Sequence, residues 1–537
     1  MSRTKIRTHR PKVPDAHAGD EASVPAPGLR RFLYLSSGVA GAAIMIVEIL
    51  GAKILAPFVG TSHFVWTAQI GVTLAALACG YYVGGRLANA RSSLAALYSA
   101  IFAAAVWLVL TVLFLQPLAY IFIALPLALG SFLSSVVLYF FPLGALAMTG
   151  PFLLRAITPS VRDVGRNAGR LSAISTVGSF IGTAMIGYFL IPLVPSSRIM
   201  IGTAAVLALL SLTYFTVWGR RGKGGSAVAA IVAAALFGVL GVSAVAKSSV
   251  RIGPTALDER GSRESAFGLL QVASLRGTPY LYFINDYLIQ NTYDAVTGKS
   301  VSAFTYLLEG LASAYASELE SALCIGMGIG IVPRELAKKG VRVDAVEINP
   351  QIEDMAVKYF GLDTAAFRLI IGDGRRFLQT TDAAYDAVIL DAFIGDSSPA
   401  HLMTAESFRA VKKVLNPGGV VVANTFADLS DAADFYATSL HRTLSSVFAS
   451  VRVHGSPAGN ALFVASDRPD LAFVRPPDLS GVHGAVRSEV AAAYNFTWSP
   501  PQDSGLVLTD DFNPLEFRDA PKREALRRAM ALSMKAP

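Results

Sequence analysis

The run Ala322-Leu323-Cys324-Ile325-Gly326-Met327-Gly328-Ile329-Gly330 is followed by a segment of helical character and then by Val341-Arg342-Val343-Asp344-Ala345-Val346-Glu347. Apolar residues close on three alternating glycines, and a second apolar strand closes on an acid. The order reads as strand, glycine turn, helix, strand, carboxylate. Glycines let a backbone approach a nucleoside closely, and a carboxylate ending the second strand can accept two hydroxyl hydrogen bonds from a ribose. Glu347 stands 17 residues after Gly330, a spacing that suits this geometry. Taken alone, a turn of this kind serves plain packing as often as it serves a ligand.

Working outward, Phe367–Ile371 reads as a third strand closing on Gly372-Asp373-Gly374, and Tyr385–Leu390 as a fourth closing on Asp391. A helix over 404–415, the turn Asn416-Pro417-Gly418-Gly419 and a strand over Val420–Asn424 complete the layer order. Four successive strand ends then point polar groups at one crevice, where open α/β sheets bind their ligands. Residues 311–537 are expected to form a Rossmann-like α/β domain of the class I S-adenosylmethionine-binding type. A dinucleotide is the rival ligand, but Asp373 and the Asn-Pro-Gly-Gly turn suit an adenosyl sulfonium better. Just upstream, Leu269–Ala273 and Tyr280–Ile284 flank Arg276-Gly277-Thr278-Pro279 as an antiparallel hairpin, so 250–310 is expected to be a small β-element leading into the main domain.

The N-terminal part obeys another solvent. Only 16% of the 537 residues are charged, against about 25% in ordinary soluble domains. Residues 32–246 hold 11 Lys/Arg and 2 Asp/Glu, whereas 247–537 hold 28 and 33. The net +8 thus divides into +13 before residue 247 and −5 after it, and the acidic part has no basic patch interleaved with aromatics, which argues against a nucleic-acid partner. Apolar runs near 32–52, 64–85, 94–115, 131–154, 171–194, 199–218 and 226–246 are long enough to span a bilayer, giving about seven spans in an α-helical membrane bundle. The run 116–130, broken by Pro117 and Pro126, reads as re-entrant or interfacial, and the polar residues 1–31 read as a disordered basic tail. Basic residues gather in the tail, at Arg86 and Arg91, at Arg155, Arg162, Arg166 and Arg170, and at Arg220, Arg221 and Lys223. With seven spans these clusters share one side, and the C-terminal domain falls on the other, non-cytoplasmic side. Glu48, an acid inside the first span, is either an ion-pair partner of Lys53 or of a neighbouring arginine, or part of a transport or binding site. The glycines of Gly178-Ser179-Phe180-Ile181-Gly182 suit close helix packing. Cys79 and Cys324 supply neither a disulfide framework nor a metal-ligand cluster, and no metal is expected.

At these residues the chain resembles the aminopropyltransferases, or spermidine synthases, and more closely the multi-pass membrane proteins with a fused spermidine-synthase-like domain. The likeness rests on Glu264-Ser265 with Gly268 and Gln271, on Asn285-Asp286-Tyr287-Leu288-Ile289-Gln290, on the glycine turn, Glu347, Gly372-Asp373-Gly374 and Asp391–Ser397. In the first half it rests on Glu48, Lys53, Ala56-Pro57, Trp66 and Gly80–Leu87. The resemblance implies that Glu347 holds the ribose hydroxyls, Asp373 the adenine amino group and Gln290 the ribose or sulfur side. Gln271 and the glycines Gly326, Gly328 and Gly330 join this binding set. Asp391 matches the acid that helps deprotonate an attacking amine, Tyr306 matches an acceptor-side tyrosine, and Asp396, displaced by two positions, either replaces the family's second loop acid or caps the loop.

Two departures stand out. Ile329 occupies the place of the acid that grips the donor's ammonium, and Leu307 and Leu308 replace the polar pair after the tyrosine. Leaving an ammonium beside them costs several kcal/mol, on the order of a buried unpaired charge. These departures argue against ordinary spermidine synthesis; with the adenosyl-binding residues retained, the resemblance implies S-adenosylmethionine or its decarboxylated form as substrate, with cleavage of a sulfonium C–S bond and release of 5′-methylthioadenosine. The attacking group is an amine or the ligand's own carboxylate, in an apolar pocket around Leu307 and Leu308. Methyl transfer and a non-catalytic nucleoside sensor on a transport-like bundle are the alternatives. Expected partners are a small nucleoside, an amine, the lipid bilayer and a second copy of the chain. The expected location is the bacterial inner membrane; the cytosolic origin of the ligand favours a cytoplasmic catalytic domain, against the side given by the basic-residue count. His401, Asp510 and Asp511 have ordinary loop and capping readings and stay outside the catalytic set.

Overall fold

Among the described residues, the first half contains six helices long and apolar enough to cross a membrane. They are α1 (Pro27–Val59), α2 (His63–Ala90), α3 (Leu94–Phe122), α4 (Leu127–Ile157), α5 (Val161–Leu190) and α6 (Ser196–Val217). This is a computed structural model, and it describes residues 25–59, 63–90, 93–122, 125–219, 237–243, 257–286, 288–393, 398–455 and 458–533. Small residues let the helices touch: a Cβ at Gly178 would overlap the backbone of Gly38, and one at Gly182 the backbone of Ala42, so α5 lies directly on α1. Gly80 meets Gly144 in the same way between α2 and α4. Outward, Leu74, Phe114, Phe180, Tyr188 and Leu209 are exposed, as side chains facing an apolar medium would be.

Two expectations change here, and two others fall largely outside the described residues. The stretch 116–130 is no separate re-entrant piece: α3 continues through Pro117 to Phe122 and α4 opens at Leu127, so its described residues end one long helix and begin the next. The span expected at 226–246 lies outside the described residues except for a short helical stretch at 237–243, where Phe237 packs on Phe102 of α3 with ring centroids 6.1 Å apart. The pairing of Glu48 with Lys53 does not form; five residues of helix turn Lys53 toward the C-terminal half instead. The expected disorder of 1–31 falls largely on residues outside those described, and from Pro27 onward the chain is already helical.

The second half opens with a five-stranded antiparallel sheet in sequence order, β1 (Leu257–Ser265), β2 (Gly268–Leu275), β3 (Tyr280–Asn285), β4 (Leu288–Asp294) and β5 (Lys299–Ser300). The hairpin of β2 and β3 pairs Leu270 with Asn285 and Ser274 with Leu281. Helix α7 (Ala303–Tyr315) leads into a seven-stranded sheet of β6 (Ser321–Ile325), β7 (Arg342–Glu347), β8 (Arg368–Ile371), β9 (Tyr385–Leu390), β10 (Leu415–Asp428), β11 (Ser450–Gly455) and β12 (Ala458–Ser466). Their spatial order is β11-β12-β10-β9-β6-β7-β8, parallel from β10 to β8, with β12 and β11 antiparallel at one edge. Helices α8 (Ile331–Lys338), α9 (Pro350–Phe360), α10 (Gly374–Thr380), α11 (Ala405–Lys413) and α12 (Phe435–Ser445) serve as connections and cover, followed by α13 (Arg487–Asn495) and α14 (Leu515–Ser533). Strand alternation feeds two cores: Ala322, Cys324, Ala345 and Ile389 face one side, while Leu323, Ile325, Val346 and Leu390 face the other. The strand order reverses between β6 and β9, which opens a crevice beyond their C-terminal ends.

The halves meet at one end of the helical bundle. Ala273 and Ile284 of the small sheet belong to the same apolar cluster as the helices, with Leu257, Leu269 and Tyr282 packed against it. Phe64 at the start of α2 stacks on Phe517 of α14 at 5.5 Å. The N–H of Ser196, at the start of α6, donates to the Glu264 carboxylate.

Candidate active site

A cavity of about 360 Å³ lies at the switch point. Its wall includes Gln290, Gly326, Gly328, Glu347, Asp373 and Asp391, so six of the ten candidates from the sequence converge on one space. The reason is topological: β6, β7, β8 and β9 are parallel neighbours, and residues at their C-terminal ends emerge side by side.

The glycine turn is required by its backbone. Gly326, Gly328 and Gly330 have φ of 91°, 53° and 79°, a region side-chain-bearing residues rarely adopt. A Cβ on Gly326 would overlap the Asp391 carbonyl, so β6 and the end of β9 close together only with glycine there. Gly330 starts α8, where a Cβ would meet Leu362, and is not among the cavity-lining residues. Between the glycines, Met327 and Ile329 pack into the core.

Glu347 is 6% exposed, with Oε2 accepting the Met327 N–H at 3.0 Å and Oε1 the Asn349 N–H at 2.9 Å. Burial raises its pKa above the usual carboxylate range, while backbone N–H groups of the turn and of β7's end oppose the rise. Asp373 caps α10 by accepting the Arg376 N–H at 2.8 Å, and the His401 ring nitrogen stands 3.5 Å from its other oxygen.

Asp391, half-buried at the end of β9, lines the cavity. Burial pushes its pKa up to about 6; a hydrogen bond from Asn424 Nδ2 at 2.8 Å pulls it back, and the nearby Glu347 charge adds to the rise. Asn460 Nδ2 in turn donates to Asn424 Oδ1 at 2.9 Å. Both asparagines line the cavity, and neither carried a signal in the sequence: they stand on β10 and β12, whose antiparallel pairing sets Asn424 opposite Leu462 and Asn460 opposite Phe426. An acid held in this way can take a proton from a nucleophile at near-neutral pH. Phe393 and Phe426, ring centroids 5.2 Å apart, give the adjoining wall an aromatic surface.

Besides Gly330, two candidates among the described residues lie elsewhere. Tyr306 donates its hydroxyl to the Ser300 carbonyl at 2.8 Å and accepts the His483 N–H, which fastens it to core packing away from the cavity. Gln271 shares a face of β2 with Leu269 and Ala273, so strand alternation turns it toward the helical bundle; it is 1% exposed and its Oε1 has no hydrogen-bond partner among the described residues. Asp396 lies outside the described residues. Leu307 and Leu308 are core residues of α7 and do not form the cavity wall, because their face of the helix packs on the sheet. His401 does line the cavity. Asp510 makes a salt bridge with Arg375 and accepts from Thr404 at 2.7 Å. Among the described residues there is no group of His, Cys, Asp and Glu suited to a metal ion.

Residues 302–457 match the family described as Spermine/spermidine synthase domain, so the C-terminal half carries a spermidine synthase-like domain. Among curated proteins, the chain is 30% identical over 283 residues to a probable polyamine aminopropyl transferase of Bifidobacterium longum, covering 47% of this chain and 60% of that one. It is 39% identical over 114 residues to a polyamine aminopropyltransferase of Vibrio vulnificus, covering 20% and 38%. It is also 34% identical over 139 residues to an N-terminal histidine N-methyltransferase of Emericella nidulans, covering 25% and 24%. In each case the match spans less than two-thirds of the relative's length.

Proposed function

We propose that the protein is a membrane-embedded enzyme of the aminopropyltransferase type, acting on S-adenosylmethionine or its decarboxylated form. The single observation that carries this reading is the convergence of Glu347, Asp373, Gln290 and the proton-accepting Asp391 on one cavity at the switch point. Glu347 holds the ribose hydroxyls, the Asp373 side the adenine, and Gln290 the ribose or sulfur side. A nucleophile attacks the carbon next to the sulfonium, the C–S electron pair passes to sulfur, and 5′-methylthioadenosine leaves neutral. When the nucleophile is an amine, Asp391 takes its proton. Most of the acceleration comes from alignment, since the sulfonium is already a good leaving group. The aromatic wall of Phe393 and Phe426 suits a cationic amine, and the six long apolar helices support membrane insertion.

Methyl transfer is the second reading, favoured by the match to a histidine N-methyltransferase. Incubating the purified full-length protein with each donor, with and without polyamines, and identifying products by mass decides between them. Release of 5′-methylthioadenosine supports the first reading, S-adenosylhomocysteine replaces it with the second, and recovery of intact donor removes both. Glu347→Ala should weaken adenosyl-nucleoside binding at least tenfold by calorimetry, about 1.4 kcal/mol, for the loss of a charged hydrogen-bonding partner.

A further inference from the structure

The small sheet is tied to the helical bundle by the two residues that end β1, and one of them also reaches the nucleoside acid. Lys53 Nζ, on α1, donates to the carbonyl of Ser265 at 2.6 Å, with the Ala266 carbonyl at 3.4 Å. The carboxylates of Asp286 and Glu264 act on the same ammonium. Glu264 meanwhile accepts the N–H of Ser196 at the start of α6, where the helix dipole favours an anion. On its other side Ser265, fully buried, accepts from Asn349 Nδ2 at 3.0 Å through its hydroxyl. Asn349, 1% exposed, donates its N–H to Glu347. The line from Lys53 through Ser265 and Asn349 to Glu347 has three hydrogen bonds, and its last three residues are buried. The same turn bears on the cavity by a second contact: a Cβ on Gly268 would meet Asn285 Oδ1 and Asp286 Oδ2 within 2.6 Å, and Asn285 lines the cavity.

We propose that α1 sets the nucleoside affinity of the cavity through Lys53, a positioning residue that acts by way of Ser265 and Asn349 on the orientation of Glu347. This rests on reading the cavity as a nucleoside site. A strained or shifted α1 moves the Ser265 carbonyl, the Asn349 amide follows the Ser265 hydroxyl, and the carboxylate facing the ribose loses its fixed direction. An ammonium on a helix long and apolar enough to cross a bilayer is thereby connected to a binding group of the C-terminal half.

The test uses the full-length protein in lipid nanodiscs, with 5′-methylthioadenosine as the probe. Lys53→Met should raise its dissociation constant about tenfold, within the span usual for coupled sites, and Lys53→Arg should recover most of the loss. Combining Lys53→Met with Asn349→Ala should cost no more than the larger single change, because both break the same line. Amide hydrogen exchange on the ligand-free protein supplies a readout independent of the nucleoside: Lys53→Met should speed exchange at 265–269 and at 347–350, leaving β9 and β10 unchanged. Equal affinity and equal exchange in Lys53→Met and wild type overturn the proposal, as do strictly additive effects of Lys53→Met and Asn349→Ala. If wild type binds no adenosyl nucleoside, the functional reading fails by itself, and the exchange pattern still decides whether Lys53 holds the Glu347 segment.

Discussion

Asp391 carries two demands that conflict. Burial favours its protonated form, with a pKa of about 6, whereas a proton acceptor must be ionised. Turnover governed by kcat/KM should therefore rise as pH passes through about 6 and level off above it. Asp391→Asn should abolish turnover while sparing nucleoside binding; full turnover in that variant would remove Asp391 from the mechanism. The stability effect runs the other way. A carboxyl whose folded pKa is raised contributes stability below its unfolded value and loses it as pH rises through the folded one. Thermal melts of Asp391→Asn should match wild type near pH 4 and exceed it at pH 8, since the amide oxygen still accepts from Asn424. Asn424 supplies the hydrogen bond that holds the pKa down. Asn424→Leu should shift the ascending limb of the pH profile to higher pH, read from initial rates between pH 5 and 9.

At the level of elements, the site depends on how closely β6 and β9 converge. They pair in parallel from Ala322 with Ala387 to Ile325 with Leu390, and one step further the chain turns at Gly326 against the Asp391 carbonyl. Any side chain there meets both a left-handed φ and a backbone oxygen. Gly326→Val should cost more than about 2 kcal/mol, combining backbone strain with overlap, and should lower the melting temperature while leaving the helical content of the bundle intact by circular dichroism. The motif was legible because the glycine turn and acid-ended strand are followed by two further strands closing on Asp373 and Asp391, all within short windows of sequence. The asparagine pair behind Asp391 was not legible, since Asn424 and Asn460 are 36 residues apart and meet only through the pairing of β10 with β12. Tyr306 and Gln271 show the converse: a residue in the right sequence position can be turned away by the face of the helix or strand that bears it.

Across the molecule, the C-terminal half sits at the arginine-poor end of the bundle. Lys53, Phe64 and Ser196, which contact it, are at one end of α1, α2 and α6, while Arg86 stands 22 residues from Phe64 along α2, about 33 Å away. Arg30, Arg31, Arg155, Arg162, Arg166 and Arg170 share the Arg86 end, against Lys53 and Arg198 at the other. Applied to this distribution, the positive-inside rule predicts a non-cytoplasmic cavity. A C-terminal alkaline phosphatase fusion should be active and a C-terminal green fluorescent protein fusion dark in a bacterial host; the opposite pattern would overturn this sidedness. The outcome also fixes which donor pool the site can draw on.

Composition and periodicity alone separated an apolar helical half from a charged α/β half, and placed the glycine turn, Glu347, Asp373 and Asp391 at strand ends. Those features are local: hydrophobic period, glycine spacing and the residue closing each strand are written within short windows. The Asn460–Asn424–Asp391 chain, the packing of Tyr306 and the burial of Gln271 outside the cavity wall, and the grip of Lys53 on Ser265 were decided only by tertiary structure. The asparagine chain joins residues 33 and 36 apart and the lysine contact residues 212 apart, while Tyr306 is held by the His483 N–H 177 residues away; no short window of sequence contains both partners of these contacts.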